Sequence, residues 1–388
     1  MKSLRSVNIS GQSVLMRVDF NVPIDKGKIL DDFRIQRVLP TIQLLREKKA
    51  KRIILISHLG QPTSFDQKQC SLEPVASCLE RLLEEKVYFI TTLVGEGLKE
   101  EIEELPDNSI ILLENIRFYK GEMENNKEFA KELAEIANCF VNEAFSVCHR
   151  EAASLCAITE FLPSYSGILL EQELTNLDRI TQESEYPLVV ILGGAKIKDK
   201  ISVIERFKDK ADYILLGGLM ANTILKANGF CIGESLYDES AFSQAERMGI
   251  GKAELILPSD FMVLDKDNQI QIKELGNIAE NDKIFDIGPI TCDIFSKIIL
   301  KAKTVFFNGP MGKFEQEGFS NGTNKIINAI IENKLAFSII GGGETITCFR
   351  SFNSKFQGSD SIFLSTGGGA MLKYLVGEPL PGLIALNK

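Results

Sequence analysis

The stretch LVVILGGAKIKDKISVIERF, residues 188–207, decides the fold class. It opens on an aliphatic run without polar alternation, as expected of a strand buried on both faces of a parallel sheet. Gly193 and Gly194 close the run, and Ile197, Ile201 and Ile204 then recur at helical spacing as the predicted buried stripe. A strand that turns on glycines into a helix is the repeating half-unit of an α/β sheet. Lys196 and Lys200, four apart, are predicted to share the neighbouring face of the first turns. A lysine there opposes the helix macrodipole, so an anion is expected close by, a solvated lysine pair being the plainer reading.

The same rhythm runs outward in both directions. VLMRVDF (14–20), RIILISH (52–58), VYFIT (87–91), IILLEN (110–115) and CFVNEAF (139–145) precede it, with helix-patterned stretches between. YILLGG, ELILPSDFMVLD, TVFFNG, AFSIIGGG and SIFLSTGGG follow. The reading is α/β with doubly wound parallel sheets. A chain of 388 residues exceeds what one core usually organises, so two domains are expected. LLEQELTNLDRI (169–180), with Leu170, Leu174, Leu177 and Ile180 on one stripe, reads as a helix joining them, or equally as an ordinary crossover. Only 7 of the 30 glycines precede residue 187, and the rest sit mostly at strand exits. The second half is therefore expected to hold a ligand against backbone amides, and the first half to use side chains.

Composition excludes several classes. A formal charge of −9 argues against nucleic acid or an anionic membrane as the partner. Eight cysteines without a CxxC pair suit reduced thiols. The start, MKSLRSVNISGQSVLM, has no continuous apolar region, and no run approaches the ~18 apolar residues of a membrane span. A soluble, cytoplasmic protein is expected. Two histidines alone do not make a recognisable metal site.

In the first half, the ends of the strand runs carry charge. RVDFNVP (17–23) sets Asp19 and Asn21 at period two, on one side of an extended chain, or else in a capped turn. SHLG places His58 at a strand tip, LLENIRFY places Arg117 just past another, and EAFSVCHRE places Arg150 likewise. Arg34 opens a helix in LDDFRIQRVLP. Arginines at one edge of a sheet form a pocket for phosphate or carboxylate, whereas single ones are usually solvated or paired. In the second half, SIIGGGETI puts Glu344 and Thr345 at a helix start, able to hold phosphate on amides and magnesium on a carboxylate. FFNGPMGKFE (306–315) is also explained by turn chemistry. Neither GxxxxGK[ST] nor a strand-borne GxGxxG is present, so a nucleotide would be held another way, and a nicotinamide dehydrogenase is disfavoured.

RVDFNVP, SHLG, LLENIRF, GGAKIKDK, NGPMGKFE, GGGET and STGGGA, in this order over nearly the whole chain, resemble the blocks of phosphoglycerate kinases. The resemblance implies two Rossmann-like domains. One would be a 3-phosphoglycerate-binding domain at 1–168 with the C-terminal tail from about 375 to 388, and the other a nucleotide-binding domain at 185–374, joined by a helix and hinge at 169–184. It implies a monomer that transfers phosphoryl reversibly between 1,3-bisphosphoglycerate and MgADP, giving 3-phosphoglycerate and MgATP, in glycolysis and gluconeogenesis, by closure of the two lobes. By carry-over, Asp19, Phe20, Asn21, Arg34, His58, Leu59, Gly60, Gln61, Arg117 and Arg150 would surround the glycerate. Gly194, Ala195, Lys200, Asn308, Pro310, Glu315, Gly342, Gly343, Glu344 and Thr345 would surround the nucleotide, with Mg2+ near Glu344. Arg34, Lys196 and Lys200 would stabilise the phosphoryl group in flight.

The chain departs from the family pattern at five points. Gln61 replaces the arginine of SHLGRP, Ala152 a histidine in the HRAHSS-like block, and Glu143 the aspartate of DAFG. Glu344 replaces the aspartate of GGGDT, and Leu219 in GGLMA takes the place of a glycine. The alternative function is a non-catalytic nucleotide-binding protein with an eroded substrate clamp. Gln61 and Ala152 favour it, and Arg34, Lys196 and Lys200 oppose it.

Overall fold

A computed structural model describes residues 1–387 apart from 63–66, 246–250, 354–355 and 357–358. The chain forms two compact units, Met1–Thr175 with Pro379–Lys388, and Asn176–Glu378.

In the first unit, β1 (Ser13–Arg17), β4 (Arg52–Ile56), β5 (Val87–Ile90), β6 (Ser109–Leu113), β7 (Cys139–Asn142) and β8 (Ser164–Ser166) form one parallel sheet in the order β5-β6-β4-β1-β7-β8. A short hairpin, β2 (Ile24–Asp25) with β3 (Lys28–Ile29), stands outside it. The unbroken apolar runs follow from burial on both faces. Val14, Met16, Ile53, Leu55, Ile110 and Leu112 pack at period two against Ile35, Val38, Ile42 and Leu45 of the helix Phe33–Glu47. The alternate residues Leu15, Ile54, Ile111 and Phe140 are also wholly buried, on the other face.

The second unit repeats the plan with β9 (Leu188–Leu192), β10 (Tyr213–Leu216), β11 (Glu254–Ile256), β15 (Thr304–Asn308), β16 (Phe337–Gly341) and β17 (Ile362–Ser365). All are parallel, in the order β11-β10-β9-β15-β16-β17. Strand order reverses between β9 and β15, and in doubly wound sheets ligands bind in the crevice beyond such a reversal.

Three expectations need correction. ELILPSDFMVLD is not one sheet element. It divides at Pro258 into β11 and β12 (Asp260–Leu264), and β12 is the middle of a separate antiparallel sheet with β13 (Ile270–Glu274) and β14 (Lys283–Ile287). Proline cannot donate to a ladder, and the buried Asp260 carboxylate beyond it accepts from Ile290 and Thr291 N–H at 2.9 and 2.8 Å, turning the chain toward the helix Pro289–Ile299. The helix read at 169–180 runs Ile168–Thr181, and Glu173 is fully buried on it while Leu174 is half-buried. The helix after Gly194 begins only at Ile197. Its buried face is Ile197, Lys200, Val203, Ile204 and Phe207, so Ile201 gives way to Val203 and Lys200 turns inward while Lys196 stays exposed.

Candidate functional site

At the C-terminal ends of β1, β4, β6 and β7 the first unit gathers the charged residues read from the sequence. Asp19, just past β1, is buried; its carboxylate pairs with Arg34 and accepts from the Ser146 hydroxyl and, at 3.0 Å, from the Asn21 N–H. Burial works against this charge, but Arg34 first, then the hydrogen bonds from Ser146 and Asn21, outweigh it and hold the carboxyl well below its usual range. Arg34 lies in the first turn of its helix, where a cation is unfavourable unless an anion faces it, and Asp19 does so.

His58 is 2% exposed. Burial first, then Arg17, Arg117 and Arg34, lower its pKa well below 6.5 against the pull of Asp19, so the ring is neutral. The turn behind it is tied down from several sides. Gly60 N–H donates to Asn21 Oδ1 at 2.9 Å, Arg117 donates to Gly60 O at 2.6 Å, and Asn115 Nδ2 donates to Leu59 O at 2.7 Å. Phe20 N–H donates to Ser57 Oγ at 2.9 Å. Gly60 has φ +61°, a conformation that glycine adopts without strain. Burial, then repulsion from Arg17 and Arg150, pushes the Arg117 guanidinium down to about 10. Arginines 17, 34, 117 and 150 therefore converge on a region with Asp19 and Glu122 as the carboxylates that counter them. An anion entering such a cluster relieves repulsion as well as gaining forked donors. Gln61 is exposed at its margin, and Ala152 lies in a small apolar cluster with Ala144, Val147 and Leu155. Glu143 is buried; it accepts from Thr41 and from Leu169 N–H at 2.9 Å and so caps the helix Ile168–Thr181.

In the second unit the ends of β9 and β15 meet closely. Gly193 N–H donates to Asn308 O at 3.0 Å and Gly194 N–H to Pro310 O at 2.7 Å. A Cβ on Gly309, at φ +92°, would overlap the Gly193 carbonyl. Asn308 Nδ2 donates to Gly341 O at 2.9 Å, and Gly309 N–H donates to Thr345 Oγ1 at 2.7 Å, which joins β15 to the helix Gly343–Phe352. Lys200 is 6% exposed and donates to Gly193 O. Burial lowers its pKa to about 8, although Glu344 and Asp199 oppose the fall. Ala195, Lys196, Gly343, Glu344 and Glu315 are exposed, Gly342 is half-buried, Pro310 is buried, and Leu219 is half-exposed with its N–H on Gly194 O at 3.2 Å. This end of the sheet offers backbone, one buried ammonium and exposed carboxylates, Asp199 and Glu344, in the first turns of two helices.

Sequence reading passed over Arg17, Glu122, Ser146, Ser154 and Asp286. Arg17 carried a signal, because an arginine inside an otherwise apolar strand must find buried partners. Asp286 in β14 accepts from Gly322 N–H at 2.8 Å, and Gly312, in the loop after Asn308, abuts its carboxylate. No short pattern marks it. Among the described residues no helix is long and apolar enough to cross a membrane, and no group of three His, Cys, Asp or Glu could hold a metal alone.

The family model described as phosphoglycerate kinase matches residues 4–378. A phosphoglycerate kinase of Dictyoglomus turgidum is 42% identical over 99% of this chain and 98% of its own length. One of Clostridium botulinum is 43% identical over 100% of the chain and 98% of its own. Among solved structures, the phosphoglycerate kinase of Coxiella burnetii aligns with TM-score 0.83 and 38% identity over 99% of this chain and 98% of that one. The phosphoglycerate kinase of Pyrococcus horikoshii aligns with TM-score 0.88 and 33% identity over 100% and 98%. Two six-stranded parallel sheets, the ordered motif blocks and this full-length identity lead to one conclusion, that the chain belongs to the phosphoglycerate kinase family.

Proposed function

We propose that the chain transfers the acyl phosphate of 1,3-bisphosphoglycerate reversibly to MgADP, giving 3-phosphoglycerate and MgATP. The observation that carries this reading is the division of labour between two sheet ends, a cluster of arginines with a neutral histidine on one and glycine-lined backbone with a buried lysine on the other. On the first, Arg34, Arg117 and Arg150 take the anionic groups of the glycerate. Asp19, Asn21 and His58 offer directed hydrogen bonds, and Phe20, Leu59, Gly60 and Gln61 shape the turn around it. On the second, Gly194, Ala195, Asn308, Pro310 and Glu315 line the nucleoside, and Gly342, Gly343 and Thr345 line the phosphates.

Phosphoryl transfer asks for little covalent chemistry from the protein; it asks for cations and amides fixed around a group whose equatorial oxygens gain charge. Arg34, Lys196 and Lys200 supply the cations. Lys200 suits the task because its ammonium is buried with a carbonyl as its near partner, so an arriving phosphate relieves the cost of holding it there. Magnesium fits the exposed carboxylate of Glu344, in the first turn of its helix, since this ion commonly uses one or two carboxylates with the phosphates of a nucleotide. When bound it would neutralise phosphate charge. A cytoplasmic monomer completes the reading, in keeping with eight free cysteines.

The test is turnover of 3-phosphoglycerate with MgATP, followed by coupled reduction of the acyl phosphate product. Binding of MgADP without any turnover would overturn the proposal in favour of a non-catalytic nucleotide-binding protein.

A further inference from the structure

Arg17, the last residue of β1, is 1% exposed, and although it belongs to the arginine cluster the reading above gives it no contact with substrate. Each nitrogen of its guanidinium has a polar partner. Nε donates to Ser154 Oγ at 2.9 Å, Nη1 donates to Val18 O, and Nη2 lies 3.3 Å from His58 Nδ1 and 3.7 Å from Glu122 Oε1. Glu122 is fixed in turn by Ser154, whose N–H and hydroxyl donate to it at 2.9 and 2.8 Å. A guanidinium has donors and no acceptor, so at that contact His58 Nδ1 must be the acceptor. The ring proton is then on Nε2, which faces Asp19 Oδ1 at 3.9 Å.

We propose that Arg17 is a positioning residue that locks His58 as the neutral Nε2–H tautomer, so that the anion cluster contains one donor with direction and no charge. This rests on the glycerate reading of that cluster. The consequence is a division of tasks: the arginines supply attraction, and His58 supplies orientation toward an oxygen of the three-carbon acid. A charged imidazolium would add repulsion among Arg17, Arg34 and Arg117, with Asp19 as the group opposing it.

Long-range proton–nitrogen correlation of the imidazole rings tests the lock directly, because the chain has two histidines and His58→Gln assigns the signals. The expected spectrum shows Nε2 protonated and Nδ1 not, unchanged between about pH 5.5 and 8. Arg17→Met, and Arg17→Met with Glu122→Gln so that no buried carboxylate is left unpaired, should give mixed tautomers. They should also raise KM for 3-phosphoglycerate about three- to tenfold, the worth of one hydrogen bond, with Arg17→Lys restoring part of it. A parent ring protonated at Nδ1 or charged at neutral pH overturns the lock, and so does an unchanged tautomer in either Met variant. If the lock holds but 3-phosphoglycerate leaves the His58 signals unmoved, the glycerate assignment falls instead.

Discussion

Replacing Lys200 by methionine should stabilise the second unit while it removes activity. In the folded chain burial lowers this lysine from its usual 10.5 to about 8 against the pull of Glu344 and Asp199. That difference corresponds to about 3 kcal/mol charged against holding the ammonium in place at pH 7. Methionine matches the length of the stem and removes the charge. It also removes one hydrogen bond to the Gly193 carbonyl, worth about 1 kcal/mol, which leaves a gain of about 2 kcal/mol. For a unit of this size the midpoint of thermal unfolding should rise by about 4–8 °C. The sign is fixed by linkage. Below about pH 8 both folded and unfolded chains keep the proton and the full penalty applies. Between 8 and 10.5 the folded chain has released a proton that the unfolded chain still holds, so parental stability climbs with pH. The advantage of Lys200→Met should therefore fade nearly to nothing by about pH 9.5. Denaturant titrations of parent and variant at both pH values measure this, and the coupled assay should show turnover reduced by more than about a hundredfold. A variant less stable than its parent at pH 7, or an advantage indifferent to pH, would refute the picture of a strained cation waiting for phosphate.

Two further outcomes follow from particular contacts. Gln61→Arg restores the guanidinium that the family pattern carries at an exposed margin of the anion cluster, and should lower KM for 3-phosphoglycerate by about tenfold in initial-rate assays; an unchanged KM would mean that this position does not meet the substrate. Asp286→Ala frees the Gly322 amide and opens space beside Gly312, so KM for the nucleotide should rise several-fold while KM for 3-phosphoglycerate stays put; equal rises in both would show a general loss of structure instead.

Much of the layout was readable because burial and backbone geometry write themselves into short strings. Runs such as LVVIL and RIILI have no polar face to show, and both proved wholly buried strands. The strand-exit glycines pointed to a ligand held on backbone amides, whereas the close approach seen at Gly193, Gly194 and Gly309 is that of the ends of β9 and β15 to each other. The antiparallel sheet β13-β12-β14 stayed hidden because an apolar run does not name its partner, and β13, although IQIKE alternates over its first four residues, is short and largely exposed on both sides. Lys200 was misplaced for a simpler reason. The stripe was drawn through the isoleucines alone, yet Lys200 lies three residues after Ile197 and four before Ile204 and so shares their face, while Ile201 turns to the flank. Partners distant in sequence, such as Arg17 with Glu122 or Asp19 with Ser146, are set by which strand ends the topology brings side by side, and no local pattern encodes that.

The first unit is completed by Pro379–Lys388, where Gly382 N–H donates to Cys148 O at 2.9 Å and Ala385 and Leu386 are buried. During synthesis, then, the second unit has all its residues before the first has its own, because Pro379–Lys388 of the first unit follows Glu378 of the second. A nascent chain halted at Glu378 would carry a whole second unit beside a first one still missing part of its packing. A change within Pro379–Lys388 should therefore show itself in the first unit, at the opposite end of the chain's genetic order.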